Sequence, residues 1–411
     1  MGLFDAMGVL FTLTALFAYL NYQYLKLPTP IGVMLAGLIF SLALVFIGGP
    51  AEEWARGLLA AMPLERVLMQ GMLAFLLFAG ALHVNLSDLR KRWPSILTLA
   101  TLGVLLSTLI VGSGVYYLAG WLGIELPYIY ALLFGALISP TDPIAVLGLL
   151  KKAGVPKDLE VLISGESLFN DGVGVVVFAV ILSLAGEHGG HTEASLAGVS
   201  LFFAQEALGG LALGLVLGLV AFYLLRRTDD YSVEVLITLA LVTGGYALAA
   251  HLHTSGPLAM VVAGLLIGNH GRALAMSERT REHLDTFWEM TDEILNALLF
   301  VLIGLEILLI HYTPGYLELA ALTVPLVLTA RFVSVGLPIA ALRLVRHFAE
   351  YTIRLMTWGG LRGGISVALA LSLPAGPERD LILALTYGVV VFSVLVQGLT
   401  IGKVARIATR G

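Results

Sequence analysis

Gly165-Glu166-Ser167-Leu168-Phe169-Asn170-Asp171-Gly172 decides how this chain must be organised. The octet lies inside an apolar run from Leu159 to Leu184, long enough to cross a bilayer as one helix. At helical spacing Glu166 stands one turn before Asn170, and Ser167 one turn before Asp171. The four side chains therefore share one polar face on an otherwise apolar rod. Carboxylates at that depth are costly unless they face a partner or water, so the face reads as a site rather than as packing.

The preceding apolar segment carries Ile138-Ser139-Pro140-Thr141-Asp142-Pro143. Prolines on either side of Thr141-Asp142 remove backbone donors and break the helix midway. Irregular backbone at membrane depth is tolerated where it lines a cavity, and transporters use such breaks to expose carbonyls to cations.

The whole chain fits a membrane setting. Its 411 residues are 58% hydrophobic and only 12% charged, about half the charged fraction of a soluble domain. The mean hydropathy is +0.94. With no cysteine it can form neither a disulfide nor a thiolate metal site. A net charge of −5 argues against a nucleic-acid partner. Asp5 is the only charge in the first apolar run and no basic stretch precedes it, so a cleaved signal is not expected.

Thirteen candidate spans follow, at about 4–24, 31–48, 67–86, 94–119, 127–150, 158–186, 197–225, 231–251, 256–269, 286–311, 316–342, 349–373 and 381–402. Of the 23 Lys and Arg residues, 17 fall in the odd-numbered connectors and the C-terminal tail. Three (Arg56, Arg66, Arg379) fall in the even ones, and three (Arg331, Arg354, Arg362) within spans. The positive-inside rule then puts the N-terminus outside and the C-terminus in the cytoplasm.

The halves echo each other. Leu76-Leu77-Phe78 matches Leu298-Leu299-Phe300, and Pro143-Ile144-Ala145-Val146 resembles Gly364-Ile365-Ser366-Val367, at offsets of 222 and 221 residues. Equivalent spans lie seven apart, an odd number, so the repeats are inverted. The expected architecture is all-α and polytopic, a single transporter domain. Its inverted six-helix repeats cover about 3–186 and 231–405, helix 197–225 links them, and broken helices cross at mid-membrane. The repeat sets Gly359 to Gly364 opposite the Thr-Asp break, which calls for a second unwound stretch there.

The Thr141-Asp142-Pro143 break, the Gly165–Gly172 run and Gly359-Gly360-Leu361-Arg362-Gly363-Gly364 together resemble the NhaP-type monovalent cation:proton antiporters, relatives of the sodium/proton exchangers. The likeness in segment count and order covers nearly the whole chain. It implies that Asp171 carries the exchanged ion or proton, and that Asp142, Ser167 and the Thr141 backbone help form the site. It also implies that Glu166 pairs with Arg362, that Asn170 ties the broken helix in place, and that the protein is a homodimer of the inner (cell) membrane serving pH homeostasis. Many relatives carry an acid in a Phe-Glu-Gly-Ala-Leu sequence. Here Phe78-Ala79-Gly80-Ala81-Leu82 leaves that role absent or moved.

Asp142, Glu166, Asp171, Arg331 and Arg362 all fall near mid-depth on four spans. Three acids face two guanidiniums that do not deprotonate, leaving about one carboxylate for an exchangeable cation. Asp171 is that carboxylate. Glu166 is assigned to Arg362, while Arg331 stays without a fixed partner unless it balances Asp142. A desolvated carboxylate takes a proton or a cation but not both. Hard Na⁺ or Li⁺ would find oxygen ligands in Asp171, Asp142, Ser167 Oγ and the Thr141 carbonyl. The expected activity is one-for-one, electroneutral exchange of Na⁺ or Li⁺ for H⁺ in a non-enzyme without a cofactor.

Alternatives are K⁺/H⁺ exchange on the same fold, a passive channel, and an intramembrane aspartyl protease using Asp142 and Asp171. The Gly-x-Gly-Asp pattern of the last is absent, and no nucleotide-binding loop is present. Glu306 reads as gating or merely interfacial, and His188 and His191 as solvated loop residues rather than metal ligands. Glu289, Asp292 and Glu293 suit either an N-terminal helix dipole or an acidic cytoplasmic funnel.

Overall fold

Long apolar runs with few helix breakers form helices, because in hydrocarbon every backbone group must be satisfied within its own segment. A computed structural model describes residues 3–60, 66–142, 144–186, 196–308 and 313–410; Pro143, His188 and His191 lie outside the described residues. The described residues are all-helical, with no strand. In chain order the helices are α1 (Phe4–Leu25), α2 (Thr29–Ile47), α3 (Pro50–Ala60), α4 (Val67–Leu82) and α5 (Leu86–Trp121). They continue with α6 (Tyr128–Ile138), α7 (Ile144–Lys152), α8 (Lys157–Leu184), α9 (Leu196–Leu225), α10 (Tyr231–His251) and α11 (Gly256–Gly271). The last are α12 (Glu278–Leu305), α13 (Tyr316–Leu342), α14 (Thr352–Trp358), α15 (Gly364–Leu371) and α16 (Pro377–Ala408). Among the described residues, eight helices are long and apolar enough to cross a membrane.

The spans expected at 127–150 and 349–373 are each a pair of half-helices, α6/α7 and α14/α15. Chain 359–363 is unwound between the second pair. Two further differences from the expected spans have clear causes. A short amphipathic helix, α3, fills a connector read as a turn. Helix α12 starts at Glu278, eight residues before the span at 286–311. Its first turns are too polar to register as an apolar run. Even so, Ser277 caps them by accepting from the Thr280 N–H, and Thr280, Leu284 and Trp288 bury one stripe at helical spacing.

Apolar packing gathers in two large clusters. One cluster runs the length of the bundle, from Leu10, Leu58 and Leu308 to Phe78, Leu299 and Met356. A second gathers Val111, Phe134, Phe178, Leu182, Leu369 and Leu385. Phe178 and Leu182 occupy the last turns of α8, far from Lys157, so this second cluster seals the opposite end.

Small residues set how closely α5 and α6 approach, and hence where the break after Ile138 sits. A Cβ on Gly135 would lie 2.3 Å from Thr108 O and 2.9 Å from Gly112 N, both of them backbone. Gly135→Ala is therefore expected to destabilise the protein by about 1–3 kcal/mol through overpacking. Gly120→Ala, whose Cβ would meet nothing within 4 Å, is the control and should be neutral. Thermal unfolding in detergent checks both.

Candidate functional site

Breaking α6 after Ile138 strands carbonyls in the apolar interior, and an arginine from the other broken helix takes them. Arg362 Nη1 donates to Ser139 O at 2.9 Å and Pro140 O at 3.1 Å. In return the Asp142 N–H donates to Leu361 O at 2.8 Å. The two unwound stretches thus cross and satisfy one another. A Cβ on Gly363 would fall 2.5 Å from Asp142 Oδ2, so the carboxyl group rests on bare glycine backbone at the start of α15. The guanidinium stands at the carbonyl end of one half-helix and the carboxylate at the amide end of another, each where the helix dipole favours it.

Helix α16 holds the second stretch from behind. Arg362 N donates to Ser393 Oγ at 2.9 Å, Ser393 Oγ donates to Gln397 Oε1 at 2.9 Å, and Gln397 Nε2 donates to Trp358 O at 2.9 Å. Ser393–Gln397 is a π-helical turn, an irregularity that turns both polar side chains towards the break. Sequence reasoning passed over this pair. The available signal was an amide, Gln397, inside an apolar run.

Helix α8 supplies the polar face. Asn170 Nδ2 donates to Thr141 Oγ1 at 2.9 Å, and the Thr141 N–H donates to Asn170 Oδ1 at 3.3 Å. The hydroxyls of Thr141 and Ser167 are 3.0 Å apart. Gly174 makes this approach feasible, since a Cβ there would meet Pro140 Cγ at 2.3 Å.

The charge pairing differs from the expected one. Glu166 pairs with Arg331, not Arg362: Arg331 Nη1 and Nη2 meet Glu166 Oε1 and Oε2 at 2.5 and 2.7 Å, a bidentate fork. Arg331 therefore does not balance Asp142 either. Depth along a helix is legible in sequence but its rotation is not, and both arginines lie at the same depth. Arg362, 2% exposed, is committed to the Ser139 and Pro140 carbonyls. Arg331 fits because Gly360 leaves it room: a Cβ there would fall 2.7 Å from Arg331 Nε.

Asp171, 9% exposed, has neither a basic partner nor a hydrogen bond among the described residues. It lines a cavity of about 500 Å³ together with Thr141, Asp142, Asp292, Asn296 and Ala79. The rim, at the end of the bundle bearing Lys151, is formed by the exposed His83, Lys151 and Glu289. Thr141, Asp171 and Asn296 are buried at its floor. Beyond them lies the second apolar cluster. Glu306 is buried in the turn after α12, away from this cavity.

Residues 12–407 match the transmembrane sodium/hydrogen exchanger family. The chain belongs to that family. It is 52% identical to the Na(+)/H(+) antiporter NhaP of Pseudomonas aeruginosa, over 98% of this chain and 96% of that protein. It is 36% identical to the Na(+)/H(+) antiporter NhaH of Halobacillus dabanensis, over 92% and 91% of the two chains. Its fold is similar to that of the sodium proton antiporter MjNhaP1 of Methanocaldococcus jannaschii, with a TM-score of 0.76, 23% identity, and 98% and 99% coverage. A sodium/hydrogen exchanger is a transporter and not an enzyme.

Glu166 and Arg331 are 1% and 5% exposed, so removing either leaves an uncompensated buried charge. Glu166→Gln and Arg331→Met should each cost roughly 3–5 kcal/mol, and the double variant should recover much of the loss. Glu166→Gln combined with Arg362→Met should show no such recovery. Thermal unfolding of the four combinations separates the two pairings.

Proposed function

We propose that this multi-pass membrane protein is a secondary antiporter in which Na⁺ and H⁺ compete for Asp171, one for one. The observation that carries this is the charge balance at the crossing. Glu166 is neutralised by Arg331, Arg362 and Asp142 each face a helix end, and Asp171, at the buried floor of the cavity, has no basic partner among the described residues. Protonated, Asp171 is neutral. When Na⁺ arrives, the carboxyl group gives its proton to cavity water and the cation takes its place, so either bound state carries the same charge. Asp142, Ser167 Oγ and the Thr141 backbone carbonyl complete an oxygen shell suited to a hard monovalent ion, Li⁺ as well as Na⁺. Asn170, Glu166, Arg331 and Arg362 support the shell without touching the ion.

The relatives are named for Na⁺, not K⁺, and the family is one of transporters, which leaves K⁺/H⁺ exchange and the protease without support. With the basic end of the bundle in the cytoplasm and the N-terminus outside, the cavity is the cytoplasmic approach. The apolar cluster beyond Asp171 then closes the external side. The protein belongs in the cell (inner) membrane, and exposed apolar faces such as that of α9 suit a homodimer. Inverted repeats at about 3–186 and 231–405, joined by α9, would let one set of half-helices rock against the other to alternate access.

Asp171→Asn should abolish Na⁺-driven proton movement in proteoliposomes while leaving the protein folded. In the wild type, protons compete with Na⁺, so the apparent KM for Na⁺ should rise about tenfold for each unit the pH falls through the acid limb. A pH-independent KM would contradict competition at one carboxylate.

One charge exchanged for one charge moves no net charge. Exchange in liposomes clamped at different potassium–valinomycin potentials should therefore be unaffected by voltage, once K⁺ is shown not to be a substrate. A voltage-shifted equilibrium would require a second proton carrier.

A further inference from the structure

The cavity holds a fourth acid that the exchange site does not use. Asp292 lines the same wall-to-wall space as Asp142 and Asp171 and belongs to none of the ion pairs among the described residues. Its Oδ1 is buried without a hydrogen-bond partner. One turn further along α12 and deeper in the cavity, Asn296 is 2% exposed. Its Nδ2 donates to Asp292 O at 2.9 Å, and its Oδ1 has no partner. Two buried, unpartnered oxygens, a carboxylate and an amide carbonyl, thus lie one turn apart on α12, on residues that form the wall of the cavity.

The helix start removes the bland explanation. Because α12 begins at Glu278, Asp292 lies nearly four turns in, well beyond the first turn where a helix dipole or a free N–H stabilises an acid. The cations of the cavity, Lys151 and His83, are exposed at the rim, while Glu289 and Asp142 are of like charge. Among the described residues neither Lys151 nor any other basic side chain forms an ion pair with Asp292.

We propose that Asp292 and Asn296 form a receiving site for a partly hydrated monovalent cation, one step on the cytoplasmic side of Asp171. One carboxylate and one amide oxygen supply a single negative charge and hard oxygen donors, the match for Na⁺ with water completing its shell. The site concentrates the cation in front of Asp171 and hands it on as Asp171 releases its proton. Ala79 lines the same cavity and offers no charge there, so the receiving charge sits on α12. The proposal rests on Asp171 being the exchange site.

The test is Na⁺-dependent exchange by the full-length protein in everted and right-side-out membrane vesicles. Asp292→Asn should raise the KM for Na⁺ at the cytoplasmic face about tenfold, the loss being recovered at saturating Na⁺, and leave the KM at the external face unchanged. Asp292→Glu should restore the KM, and Asn296→Asp should lower it. An unchanged cytoplasmic KM, or a fall in maximum rate with KM intact, would overturn the receiving site. If Asp292→Asn fails to fold, the Asn296→Asp result decides: no decrease in KM counts against the proposal. Survival of exchange in Asp171→Asn would instead remove the exchange site, whatever Asp292 does.

Discussion

Two helices are interrupted inside an apolar bundle, and each interruption supplies what the other lacks. In water the freed carbonyls and amides would cost little; buried in protein at membrane depth, each must find a partner. Arg362 takes the Ser139 and Pro140 carbonyls, the Asp142 N–H takes Leu361 O, and Ser393 with Gln397 takes the remaining turns of the second stretch. Everything else at the centre depends on this crossing. It fixes Asp142 against Gly363, presents Thr141 to Asn170 and Ser167, and sets the partners left over for Asp171.

The Glu166–Arg331 fork contributes in a different way. A buried ion pair is weak evidence for stability, because desolvation offsets much of the attraction. Its value here is electrical and geometric. It removes one negative charge from the face of α8 that carries Asp171, and through the Arg331 Nε bond to Met356 O at 3.3 Å it ties α8 and α13 to α14. Asp171, without a basic partner among the described residues, is then free to alternate between proton and cation without altering the net charge of the site.

Much of this was legible in the sequence, for physical reasons. Apolar length marks spans, prolines mark a break, and an intramembrane acid marks a site, so Asp142, Glu166 and Asp171 stood out from their neighbours alone. The position of the second unwound stretch followed from its glycines and its offset from the first. Which arginine meets Glu166 did not follow. That choice depends on the azimuth of α13 and on the room left by Gly360, neither of which has a sequence period. The extent of α12 was hidden because its first two turns are stabilised by a cap and one buried stripe rather than by overall hydropathy. Asp292 consequently resembled a helix-start residue, and only the true start at Glu278 shows it deep in the helix.

The claim at the centre is that one ion displaces one proton at one carboxylate. Calorimetric titration of Na⁺ into the purified protein, in buffers of different ionisation enthalpy, measures that displacement without transport. Where Asp171 is largely protonated, close to one proton released for each Na⁺ bound is the expected result, with no Na⁺ uptake or release at this site in Asp171→Asn. Stoichiometric Na⁺ binding with no proton release, or release that persists in Asp171→Asn, would contradict it.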